Sequence, residues 1–175
     1  MLLEKRAALA FADAARAAEG MTKNFLSGIA LEDGQTVAAY YPVRNEMDVL
    51  PLLRALAQRG HPIALPCVVQ MQGPLLFRAW HENAAMTAGR LGLREPDAAT
   101  CPEVVPDVVI VPMLGFDEQR NRLGYGKGHY DRTLLALSAR KIGVAYDMQK
   151  LDEVPADPYD VPMDVIVTEK RVYCP

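Results

Sequence analysis

Asp107-Val108-Val109-Ile110-Val111 is followed, one loop later, by Arg122-Leu123-Gly124-Tyr125-Gly126-Lys127-Gly128-His129-Tyr130-Asp131-Arg132. The first stretch is an unbroken apolar run of strand length, the pattern of a strand buried on both faces of a parallel sheet. The second carries three alternating glycines and runs into a helix predicted over 130–140. Chain at the carboxyl end of a parallel strand, leading into a helix N-terminus, is where open α/β sheets bind ligands. Glycines allow positive φ and close backbone approach to an anion, and successive N–H groups then form a concave nest at the positive end of the helix. Arg122 and Lys127 add cationic donors on either side, which suits a polyphosphate. The spacing is neither GxxxxGK[ST] nor the dinucleotide fingerprint, because the third glycine comes one residue early.

Outward from this segment, 141–146 and 165–168 read as further strands, 36–41 as a strand closed by Pro42, and 62–65 as another. Residues 47–59 place Val49, Leu50, Leu53, Leu56 and Ala57 at helical spacing, with Pro51 in the first turn and Gly60 as the stop. Residues 2–18 are Ala-rich and predict a helix ending near Gly20, followed by a second helical stretch over 21–29. Residues 68–71 and 75–80 flank Gln72-Gly73-Pro74 and predict an antiparallel pair at one sheet edge. Residues 83–106 predict mostly loop. Strands alternating with helices predict an α/β fold, a three-layer α/β/α arrangement with a mostly parallel, Rossmann-like central sheet and an antiparallel hairpin at an edge. No second apolar unit stands apart, so residues 1–175 are expected to form one domain.

Composition sets outer bounds. The 175 residues hold 19 Lys+Arg against 22 Asp+Glu, a net charge of −3, and half are hydrophobic. That length falls in the one-domain range and buries about 70% of its unfolded surface, enough for a core without staples. The weak acidity excludes nucleic-acid binding through bulk positive charge, and 23% charged residues exclude a disordered acidic chain. No apolar run approaches the ~18–20 residues of a membrane span, and Glu4, Lys5, Arg6 and Asp13 interrupt the amino-terminal stretch. Cys67, Cys101 and Cys174 form no spacing motif. A cytoplasmic protein, monomeric or weakly homodimeric, with no nucleic-acid or membrane partner is expected.

Val111-Pro112-Met113-Leu114-Gly115-Phe116-Asp117, the glycine segment and Tyr130-Asp131-Arg132 together resemble the signature of the 5-formyltetrahydrofolate cyclo-ligase family. Tyr41-Pro42 with Glu46 and Asp48 resembles its folate-contacting strand end, Leu65-Pro66 and Glu95-Pro96 its lesser landmarks, and Asp160-Val161-Pro162-Met163-Asp164 its carboxyl-terminal motif, so the likeness spans about 36–169. The resemblance implies ATP-dependent cyclisation of 5-formyltetrahydrofolate, in free or polyglutamylated form, to 5,10-methenyltetrahydrofolate, with ATP and Mg²⁺ required. It implies catalytic roles for Arg122, Lys127 and Tyr130. ATP would be held by Arg122, Leu123, Gly124, Tyr125, Gly126, Lys127, Gly128, His129 and Tyr130, with Lys5 and Arg6. The folate would lie on Tyr41, Glu46, Tyr125, Gly126, Lys127, Gly128 and His129, and the metal on Asp131 and Asp164. Structural roles compete with these: Asp131 also suits a helix first turn, worth ~0.3–1 kcal/mol, Asp164 a turn, and Glu46 a solvated helix start.

The family opens with a longer basic helix, so the amino-terminal helix reads here as shortened. Lys5 and Arg6 are the basic residues available, and they stand out of register with the rest of the motif. A folate- or nucleotide-binding protein with little or no turnover is therefore the alternative reading. A kinase-like enzyme acting on another small formamide or carboxylate is a weaker third.

Overall fold

A computed structural model of the chain describes residues 2–155 and 160–175. Its elements run α1 (Leu2–Ala7), α2 (Phe11–Gly28), β1 (Val37–Ala38), α3 (Leu50–Gln58), β2 (Ile63–Cys67), β3 (Leu76–Trp80), β4 (Met86–Ala88), β5 (Arg94–Pro96), β6 (Val108–Pro112), β7 (Gly115–Phe116), β8 (Arg122–Leu123), α4 (His129–Ala136), β9 (Arg140–Val144), β10 (Val165–Val167) and β11 (Val172–Tyr173). A 3-10 turn at Asp147–Gln149 follows β9. Seven strands form the main sheet in the order β11-β10-β9-β6-β1-β2-β3. The inner pairings are parallel, and only the edge strands β3 and β11 run antiparallel.

The apolar run 108–111 becomes a central strand because both of its faces are covered. Val108 and Ile110 pack with Phe25, Leu53 and Leu56 from α2 and α3. Val109 and Val111 pack on the opposite face with Leu134 of α4, Phe77 and Phe116. Each such side chain, removed from water, contributes about 1.5–3 kcal/mol, which is why an all-apolar strand belongs between two helical layers. Among the described residues no helix is long and apolar enough to cross a membrane.

Four local expectations are corrected. The amino-terminal helix breaks after Ala7, not near Gly20, and Gly20 lies inside α2. A Cβ on Gly20 would sit 3.1 Å from the Glu169 carbonyl oxygen, so this glycine serves close packing against the chain after β10. The antiparallel edge pair joins β2 to β3, with Leu65 opposite Arg78, and does not include 68–71. Beyond Cys67 the backbone turns away: Val68 N–H goes to the Glu95 carboxylate instead, and Val69 and Met71 stay half exposed. The predicted loop 83–106 contains the β4–β5 hairpin, turned at Gly89 and at Gly92, whose φ is +71°. The two-residue strand β11 carried too short a pattern to read.

Candidate active site

The parallel strands deliver their carboxyl ends to one edge of the sheet, and the chain after β1 and β6 builds the site there. After β1, Arg44 and Asn45 both take positive φ, +51° and +55°. Such backbone costs of order 1–3 kcal/mol for a residue other than glycine and persists only where the surroundings hold it. Here the holding is visible. Glu46 Oε2 accepts the Val43 N–H at 3.0 Å, and the Arg44 carbonyl accepts two bonds from the Arg6 guanidinium, at 3.0 Å from Nε and 2.8 Å from Nη2. The Tyr40 hydroxyl donates to the Met47 carbonyl at 2.7 Å and closes the base of the loop.

The glycine segment meets this loop through one side chain. The Tyr125 hydroxyl donates to Glu46 Oε1 at 2.9 Å and accepts from Arg6 Nη2 at 2.7 Å. Arg6 also lies over the Tyr125 ring, 5.8 Å from its centre. Arg6 is 1% exposed and Glu46 8% exposed, so the network is a buried one. Burial pushes the Glu46 carboxyl above its ordinary range, despite the Val43 N–H, the Tyr125 hydroxyl and Arg6, all of which favour the charged form. Burial likewise raises the Tyr125 phenol. Tyr125→Phe should cost about 1–3 kcal/mol of stability, since it strips a partner from two buried polar groups. Urea unfolding of the variant checks this; a loss below about 0.5 kcal/mol would show that water replaces the hydroxyl.

On the far side of the loop, Gly128 caps α4 with φ +64° and Gly126 has φ +76°, conformations that favour glycine. Arg122 Nη2 reaches Asp131 Oδ1 at 2.5 Å, and its guanidinium lies 5.9 Å from the Tyr130 ring centre. Burial, with the Glu46 charge adding to it, pushes the Tyr130 phenol well above its usual value, so it stays protonated. His129 is buried, its Nδ1 2.9 Å from the Gly73 carbonyl, and its Nε2 has no hydrogen-bond partner among the described residues. Lys127 is exposed, and its carbonyl accepts from Arg132 Nη2 at 2.6 Å.

The structure therefore brings Arg6, Glu46, Tyr125, Arg122, Tyr130 and Asp131 around one glycine loop. Tyr41 stands at the same edge, partly buried. Two predicted residues fall elsewhere. Asp164 precedes β10, at the opposite end of the parallel strands, where Oδ2 accepts the Lys141 N–H at 2.7 Å. It fastens the start of β9 and does not join Asp131. Lys5 is exposed on α1, and no hydrogen bond or ion pair among the described residues ties it to the glycine loop. Arg6, read as out of register, enters the site after all, but on the Glu46 side. It is the buried residue of α1, ahead of the break after Ala7. Sequence reasoning also missed Gln149: buried, it donates from Nε2 to the Met113 and Leu114 carbonyls, both at 2.8 Å, and so shapes the exit from β6. Burial raises the Cys67 thiol to about 11, with the nearby Glu95 charge adding to the shift, in keeping with a packed thiol and not a nucleophile.

An open, mostly parallel sheet with a glycine-rich loop facing a buried carboxylate is the framework of an α/β enzyme acting on a small molecule. The model of the 5-formyltetrahydrofolate cyclo-ligase family matches residues 1–169. The 5-formyltetrahydrofolate cyclo-ligase of Mycolicibacterium smegmatis is 39% identical over 157 residues, covering 85% of this chain and 80% of that protein. That of Escherichia coli K12 is 34% identical over 146 residues, covering 79% and 80%. The NMR structure of Aquifex aeolicus 5,10-methenyltetrahydrofolate synthetase superposes with a TM-score of 0.85 at 33% identity, covering 99% of this chain and 88% of that one. The chain belongs to the 5-formyltetrahydrofolate cyclo-ligase family. The match starts at residue 1, so the amino-terminal helix lies within it, ahead of the motifs that begin near residue 36.

Proposed function

We propose that the chain catalyses ATP-driven closure of 5-formyltetrahydrofolate to 5,10-methenyltetrahydrofolate, releasing ADP and phosphate. The observation that carries this reading is the hydrogen bond from Tyr125, inside the glycine loop, to Glu46 at 2.9 Å. It ties the glycine loop to the buried carboxylate, which supports one site for a nucleotide and an aminopyrimidine-bearing substrate.

The formamide oxygen is a poor leaving group. It attacks the γ-phosphorus of ATP, ADP departs, and the oxygen becomes part of a phosphate ester. N10 then adds to the formyl carbon and gives up its proton, the C–O bond breaks, and phosphate leaves. Phosphoryl transfer asks the protein mainly for positioning and charge neutralisation. Main-chain N–H groups of 124–128, with Arg122 and Lys127, would hold the phosphates. Glu46 would accept N–H donors from the aminopyrimidine edge, and Tyr41 would line the folate. Tyr130, kept protonated, would serve as a neutral wall under Arg122 and not as a base.

Mg²⁺ in nucleotide sites takes one or two carboxylates and completes its shell with phosphate oxygens and water. Among the described residues no group of three ligating side chains forms a cage, and Asp131, beside Arg122, is the carboxylate that fits the one-ligand pattern. The ion, when bound, neutralises phosphate charge.

The test is incubation of purified protein with 5-formyltetrahydrofolate, Mg²⁺ and ATP, against a blank without ATP, following the near-ultraviolet band of the methenyl product. An ATP-dependent band is the expected result. Folate binding with no such band would overturn turnover in favour of a binding protein.

A further inference from the structure

Arg94, at the start of β5, holds its guanidinium carbon 5.5 Å from the centre of the Tyr41 ring. The strand beneath it is firmly docked. The neighbouring Glu95 is buried and takes the Val68 N–H at 3.0 Å, and Pro96 is buried behind it. Val68 follows β2, which lies parallel to β1, so the hairpin sits at the edge of the sheet from which Tyr41 and Glu46 emerge. Arg94 itself is exposed. Arg78 is paired with Glu103 and Arg54 with Glu82, whereas no carboxylate pairs with Arg94 among the described residues.

The chain leaving β1 thus presents an acceptor carboxylate, Glu46, and an aromatic ring, Tyr41, and against that ring stands an unpaired guanidinium. A folate carries groups complementary to these three: an aminopyrimidine donor edge, an aryl ring and a glutamate. We propose that Arg94 is the residue that binds the glutamyl carboxylate of the substrate, a specificity determinant outside the glycine loop. This rests on the folate reading above. A guanidinium stacked on an aromatic face is held in orientation while its N–H edge stays free, and that edge matches a carboxylate.

The test compares 5-formyltetrahydrofolate with its counterpart lacking the glutamate, 5-formyltetrahydropteroate, as substrates and, by calorimetry, as ligands. The wild-type protein should favour the glutamylated form by about tenfold in KM and Kd, the size of one exposed charge-assisted bond, and this preference should shrink with added salt. Arg94→Gln should bring the ratio close to one by weakening only the glutamylated form, with kcat unchanged; Arg94→Lys should keep part of the preference. No preference in the wild type overturns the inference, and so does one indifferent to salt. Equal weakening of both forms in Arg94→Gln also overturns it, because the arginine would then act only by packing Tyr41. Should Arg94→Gln fail to fold, Arg94→Lys and the wild-type salt dependence decide. A wild type that binds neither form defeats the folate reading itself, and the inference with it; one that binds both alike defeats the inference alone.

Discussion

Glu46→Gln is expected to lower kcat/KM for 5-formyltetrahydrofolate by about 10²–10³-fold while leaving the KM for ATP nearly unchanged. A carboxylate offers two acceptor oxygens to an aminopyrimidine edge. An amide keeps one and turns a donor toward a donor, which forfeits at least one charge-assisted bond of ~1.5–3 kcal/mol and adds a mismatch. The same substitution should stabilise the fold at neutral pH. Glu46 is buried, and burial raises its carboxyl above the ordinary 4.5. Between that value and the raised one, the folded chain binds more protons than the unfolded chain, so stability falls as pH rises through the window. Above the window the buried charge is a standing cost that glutamine removes. Below 4.5 both states are neutral at this position and the difference vanishes. Thermal melts of both proteins from about pH 4 to about pH 8 should therefore coincide at the acid end and separate in favour of the variant toward neutrality. A variant that melts lower at neutral pH would show that Arg6 and Tyr125 more than repay the desolvation of the carboxylate.

Asp131→Asn is expected to cut turnover about 10–100-fold at limiting Mg²⁺, with part of the loss restored by raising the ion concentration, because the substitution removes one charged oxygen donor. The asparagine oxygen can still accept from Arg122, so the pairing seen at 2.5 Å should survive in weakened form and the fold with it. Turnover measured across an Mg²⁺ titration distinguishes the roles. Full activity at low Mg²⁺ would remove Asp131 from the metal, while a loss that no Mg²⁺ concentration repairs would mean the carboxylate acts by holding Arg122 in place. Asp164→Asn serves as the contrast: fastened to the Lys141 N–H at the other end of the strands, it should change stability more than Mg²⁺ dependence.

How much of this was legible beforehand follows from how far apart in the chain the determining groups stand. The run 108–111 announces a strand covered on both faces, since each residue's burial is written in its own side chain, and the structure buries all four. The alternating glycines announce a backbone able to take positive φ next to a helix start, and Gly126 and Gly128 take it. Family motifs singled out Glu46, Arg122, Tyr125 and Asp131 as site residues, and the folded chain brings them together. Asp164 was drawn into the same set by its motif alone. Its distance from Asp131 depends on the direction in which β10 runs, and a sequence motif does not carry that.

Local pattern determined the layers of this protein, its central strand and the place of its glycine loop, because periodic burial and glycine's backbone freedom act within a few residues. Tertiary structure decided the partners. Arg6 meets Tyr125 across 119 positions and the Arg44 carbonyl across 38, and Arg94 meets Tyr41 across a hairpin that the sequence presented as loop. Those contacts depend on strand order, on the angle at which α1 turns into α2 and on the docking of the β4–β5 hairpin through Glu95. Each is settled by packing of the whole sheet, where side chains distant in sequence compete for the same buried space and the same few unpaired polar groups.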